Sequence, residues 1–192
     1  FTAYNNNTLY RNDGDTDGDG FVNFVDRLNE KVGVAVSWLT SLLVLTVCID
    51  VFTRYVLKTS SVAVQELEWH IFATIFLLGA AYTLKHNKHV RVDVFYMNFS
   101  PRGQALANCI GSLLFLLPFA VMTIWASQNF VINSFNLSEI SPDPGGLPAR
   151  FILKSMIPIG FSLICLQGLS MACRSFVQFL NGGIDVLKEN AE

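Results

Sequence analysis

Charges are sparse from Val32 onward, and the apolar positions group into four long runs rather than alternating. The first run covers about Val32 to Leu57, with an uncharged stretch at Gly33–Ile49. The second is Trp69–Leu84. The third starts near Gln104 and stays uncharged through Ser138, and the fourth is Ser155–Cys173, continuing amphipathically toward Leu180. A lipid core ~30 Å thick takes about twenty residues of helix, so runs one and four span it without adjustment. Run two reaches only ~24 Å as a helix and relies on Lys85 snorkelling and Trp69 at the interface. Run three, at ~48 Å, must tilt, kink at Pro118 or project beyond the lipid. Projection is expected, because Ser127, Gln128, Asn129, Asn133 and Asn136 make its far end polar.

Three divisions follow: an acidic segment over 1–31, a four-helix transmembrane domain over 32–180, and a tail over 181–192. The fold class is all-α, an integral membrane bundle of four spans with interfacial amphipathic segments. Between spans two and three, Val90, Val92 and Val94 alternate with charges and lead into Phe95 and Met97, the pattern of a segment lying along a membrane surface. The loop at 138–149 is rich in Pro and Gly and carries two acids, a turn between spans three and four.

Composition supports this reading. Hydrophobic residues make up 52% of the chain and charged ones only 15%, against roughly 25% in an average soluble domain. The net charge of −2 gives no reason to expect nucleic acid. Cys48, Cys109, Cys165 and Cys173 all fall in apolar runs with no ligand spacing, and read as small hydrophobes. With the N-terminus inside, nine of the 13 basic residues face the cytoplasm and four (Arg54, Lys58, Arg150, Lys154) face out. That bias places both termini in the cytoplasm.

Asp50 and Arg54 are four apart and share a helix face, the spacing of an ion pair that fixes helix depth near the interface. A proton or ion site is the competing reading of the same pair. Glu66 and Glu68 stand just before the second helix, where acids complement a helix dipole and cap its free amides, or alternatively meet a partner subunit. His70, His86 and His89 do not face one another across a bundle, which argues against a haem site. The His89, Arg91, Asp93 group reads as an interfacial cluster. No nucleophile–base pair and no phosphate-binding glycine loop is present, so no enzymatic activity is expected.

The stretch from Asp15 to Asp26 matches a calcium-binding EF-hand loop. Its candidate ligands are Asp15, Asp17, Asp19, the carbonyl of Phe21, Asn23 and Asp26, with Gly20 at the sharp turn. Asp26 stands where a longer Glu normally binds through both oxygens, which weakens the match. A calcium-competent loop and a solvated acidic segment are the two readings; calcium is the candidate metal, and no cofactor is required.

The run Arg54-Tyr-Val-Leu57, then Glu66-Leu67, Phe72, Leu78-Gly-Ala-Ala81 and His89-Val-Arg-Val-Asp93 resembles the small membrane (Q) subunit of tripartite ATP-independent periplasmic (TRAP) transporters. Pro144-Gly-Gly-Leu-Pro148, Ile157-Pro-Ile-Gly-Phe161 and Leu166-Gln-Gly168 are similar to the last hairpin of that family. The resemblance covers about Val32 to Gln178. It departs from the family pattern ahead of span two, where Ala63 and Gln65-Glu66 replace a Trp and a double Glu, and at Trp69, which replaces an Arg. The resemblance implies a subunit of a sodium-driven, binding-protein-dependent carrier of organic acids, keto acids and other monocarboxylates among them. It implies two protein partners, a large membrane (M) subunit that binds substrate and sodium, and a periplasmic solute-binding protein. It also implies location in the bacterial inner membrane. Within that frame Arg54, Glu66 and the 89–93 segment are expected to set depth and inter-helix order. The alternative function is a haem- or quinone-linked membrane subunit of a redox enzyme.

Overall fold

The computed structural model describes residues 19–86 and 101–180. The interfacial segment expected at 90–97, with His89, Arg91 and Asp93, lies outside these residues, as do Asp15 and Asp17.

Four helical spans form, and each is longer than its apolar run. Helix α1 is Asp19–Tyr55, α2 is Val62–Lys85, and α5 is Phe151–Leu180. The third span is composite: α3 at Pro101–Ile110, a π-helical turn at Gly111–Leu116, and α4 at Leu117–Asn136. There is no strand among the described residues. All four spans are long and apolar enough to cross a membrane. At 36, 24, 35 and 30 residues they measure about 54, 36, 52 and 45 Å, so each tilts or reaches past the hydrocarbon.

Two boundaries differ from those that hydropathy suggests. Helix α1 runs straight through the expected division at 31/32, because the polar stretch before it is amphipathic. Val22, Val25 and Asn29 are buried on one face while Asp26 turns toward α5. Helix α2 begins at Val62, after Ser61 in an extended conformation, seven residues before the uncharged run starts. Span two is therefore not short.

The third span meets the proline problem with a wider turn. Pro118 has no N–H to return to the carbonyl four residues back. Immediately upstream the helix loosens, and the N–H of Leu117 reaches five residues back to the carbonyl of Ser112.

Helix α5 is the hub and contacts every other helix. A third of its most apolar stretch (33%) is buried inside the chain, against 6% for α1, so α1 turns most of its apolar surface outward. The interior is rich in small and polar residues: Ala81, Ala105, Ala120, Ala172, Ser112, Ser134 and Ser170 are all at or below 5% exposure. Large apolar side chains such as Trp38, Phe76, Phe115 and Trp125 face out. This inside-out distribution is the membrane solution, in which small residues permit close approach and lipid solvates the rest. Gly33 packs against the ring of Tyr82, and Gly160 against the backbone of Leu77. The four cysteines are free.

Candidate functional site

Two polar clasps close the bundle, one at each end. At the end bearing the 137–150 loop, Glu66 occupies the second turn of α2 and is only 4% exposed. One carboxylate oxygen accepts from the hydroxyl of Ser141, and the other accepts from the backbone N–H of Leu147 at 2.6 Å. Arg150 lies 3.9 Å from the first oxygen. A single side chain thus ties α2 to a loop about eighty residues away in sequence.

The loop is shaped to reach it. Gly145 holds φ +80°, and the N–H of Gly146 closes a turn on the carbonyl of Asp143 at 3.0 Å. The N–H of Ser141 donates to the carbonyl of Leu147 at 3.2 Å, bringing both Glu66 donors side by side. A Cβ at Gly146 would overlap Ser141 and come within 2.8 Å of a Glu66 oxygen. The loop is pinned again at its base. The N–H of Arg150 donates to the carbonyl of Glu139 (3.1 Å), and Lys154 of α5 pairs with the Glu139 carboxylate. The hydrogen bond from Lys154 is the main reason the Glu139 carboxyl lies below its ordinary range.

The opposite end is closed by α1, α2 and α5. The carboxylate of Asp26 accepts from Arg174 at 2.6 Å and from the amide of Gln167 at 3.1 Å. Asn29, fully buried, donates to Gln167 at 2.6 Å. Lys85 at the end of α2 donates to Glu30 (2.5 Å) and to the carbonyl of Asp26 (3.1 Å). Interhelical bonds of this kind average about 0.6 kcal/mol each in a membrane and reach about 1.7. Gln167→Leu is therefore expected to cost about 1 kcal/mol, because it strands both Asn29 and an oxygen of Asp26. Reversible unfolding of the detergent-solubilised protein measures it, and a variant as stable as the parent shows the amide to be idle.

The residues singled out by sequence fall into three groups. Asp50 and Arg54 form the i, i+4 ion pair that their spacing suggests, with Asp50 at 3% exposure. Glu66 and Glu68 do not cap α2. Its N-cap is Ser61 and its first turn holds no acid, so Glu66 acts sideways on the loop. Glu68 keeps one oxygen buried with no partner among the described residues. The described part of the acidic motif departs from a calcium loop. Asp19, Phe21, Asn23 and Asp26 lie on helix α1, Gly20 does not adopt the turn expected of it, and Asp26 is engaged by α5. No cluster of three metal-ligating side chains occurs among the described residues.

Sequence reasoning gave no pairing role to Ser141, Asn29 or Arg174, and named Gly146 and Gln167 only within motifs of the family resemblance. Gln167 carried a readable signal, since a lone amide in an apolar span is costly without a partner. Ser141 and Gly146 carried none, because their role depends on Glu66 far away in the chain. His70 on α2 and His86, the residue that caps its C-terminus, lie sixteen positions apart, about 24 Å along the helix axis, so they cannot share a haem. Both clasps hold helices and a loop in place and offer no group poised for bond chemistry.

Comparison with known proteins agrees with this architecture. The profile of the family "Tripartite ATP-independent periplasmic transporters, DctQ component" matches residues 43–178. The matched region takes in the loop clasp, Gln167 and Arg174. A Haemophilus influenzae protein assigned as a TRAP transporter small permease is 27% identical over 124 residues, covering 65% of this chain and 75% of that protein. Four apolar spans and the match across most of the bundle lead to one conclusion: this chain belongs to the DctQ family, the small membrane subunits of tripartite ATP-independent periplasmic transporters.

Proposed function

We propose that this subunit braces a larger membrane subunit in a sodium-driven, binding-protein-dependent carrier of organic acids, in the bacterial inner membrane with both termini cytoplasmic. The carrier's cargo and sodium are handled by the large subunit. This chain holds a fixed scaffold and offers the 137–150 loop as part of the surface on which a periplasmic solute-binding protein docks. The observation that carries the reading is the Glu66 clasp, which fixes a loop rigidly to the bundle and supplies no reactive group. A docking surface needs that rigidity, since ordering a free loop on each encounter weakens binding. The outward apolar faces of α1 and α4 are wide enough to take partner helices as well as lipid. The Asp50–Arg54 pair and the 89–93 segment set depth, and Glu68 faces a partner.

Reconstitution tests this. The chain alone in vesicles under an inward sodium gradient is expected to move no organic acid, and the chain with its large subunit and binding protein is expected to take it up along that gradient. Uptake by the chain alone, or failure to co-purify with a large polytopic subunit, overturns the proposal.

A further inference from the structure

A cavity of about 300 Å³ opens between α2, α4 and α5 just below the loop clasp. Its walls are Ala73 and Leu77 of α2, Phe130 of α4, and Leu153 and Ile157 of α5. Trp69, Arg150 and Lys154 complete the lining, and Arg150 at the base of the 137–150 loop marks the end we take as its mouth. From Arg150 to Ile157 it runs about 10 Å along α5, from the interface into the hydrocarbon.

The two cations are not equally occupied. Lys154 pairs with Glu139 and lies over the Phe130 ring at 4.0 Å. Arg150 lies over Trp69 at 5.7 Å, and its nearest charge, on Glu66, is 3.9 Å away, beyond hydrogen-bond distance. Its guanidinium donates no hydrogen bond among the described residues, although its side chain is only 25% exposed. A planar fork of unmet donors at a membrane interface suits a phosphate. The space beneath it suits hydrocarbon. Water would find almost no polar partner there, and an empty cavity forfeits the dispersion contacts of its lining. A transmembrane helix, about 10 Å across, is too large for it.

We propose that this cavity is a glycerophospholipid site, with one acyl chain between α2, α4 and α5 and the headgroup phosphate on Arg150. Two cations at the mouth are balanced by Glu66 and Glu139, so the phosphodiester is recognised rather than net charge. Phosphatidylethanolamine and phosphatidylglycerol therefore bind alike. The bound chain fills the seam behind the Glu66 clasp and stiffens the loop from below. The site requires only that the chain spans a membrane; it is independent of which solute is carried.

The test uses the assembled transporter in mild detergent with a phosphatidylethanolamine carrying a photoactivatable diazirine in its acyl chain. Labelling is expected to concentrate on 69–77, Phe130 and 153–157. Either unlabelled phospholipid should suppress it about tenfold, and millimolar inorganic phosphate should leave it unchanged. Ala73→Phe, which fills the cavity, is expected to reduce labelling about tenfold, as 1.4 kcal/mol of lost affinity does, and Arg150→Gln is expected to reduce it as well. Labelling spread evenly over the outward face of α1, suppression by phosphate alone, or no labelling of the cavity residues in the assembled transporter would each overturn the proposal. Should either variant fail to fold, the labelling map of the unaltered protein decides alone.

Discussion

Glu66→Ala is expected to free the 137–150 loop and to lower transport by the assembled carrier on the order of tenfold or more, while the solute-binding protein still binds its solute normally. The reason is local. Alanine leaves the Leu147 amide and the Ser141 hydroxyl without their acceptor in a site where water is scarce. It also leaves Arg150 without its nearest counter-charge. Glu66→Gln should fall between the two, because an amide presents one acceptor where the site asks for two. Gly146→Ala tests the same clasp from the loop side without removing any charge. Its added methyl overlaps Ser141 and is expected to cost about 1–3 kcal/mol. Limited proteolysis within 137–150 reads out loop release, and uptake into vesicles reads out transport. If Glu66→Ala carries solute at the parent rate with an uncut loop, the clasp is not what holds this end of the bundle.

The contrast between the two clasps shows what a sequence can carry. Span number and the Asp50–Arg54 pair are properties of one helix at a time, set by composition and by i, i+4 spacing. Those are legible. Element boundaries were less so, because hydropathy marks where lipid begins and a helix continues past it. Thus Val62 starts α2 well before Trp69, and Asp19 starts α1 well before Val32. The acidic motif illustrates the same limit. Asp-rich spacing matches a calcium loop locally, yet Asp26 is drawn to Arg174 and Gln167 from α5, partners more than 140 positions away. Glu66 read as a helix-dipole acid for the same reason, since its loop partners are 75 and 81 positions distant. Tertiary contacts of that range override local preference.

Gly160→Ala is expected to be the most damaging single-methyl change in the membrane interior. A Cβ there would stand 2.7 Å from the Leu77 carbonyl oxygen and 3.0 Å from its carbonyl carbon. Both are backbone atoms of α2, so no side-chain rotation relieves the overlap and the two helices must separate. Overpacking of this kind costs about 1–3 kcal/mol and sometimes more, larger than the roughly 1 kcal/mol that alanine gains over glycine in a helix. Gly168, two turns further along α5, supplies the control. There the added methyl meets the far end of the Leu116 side chain, which can turn away for about 0.5–1.5 kcal/mol. The helix gain nearly cancels that, so Gly168→Ala should unfold close to the parent. Separating α2 from α5 at Gly160 also widens the seam beside Leu77, which lines the cavity above it. Thermal unfolding of both variants in detergent compares them directly. Equal stabilities would mean that α2 and α5 are not in backbone contact at Leu77, and that the hub role of α5 rests on side-chain packing alone.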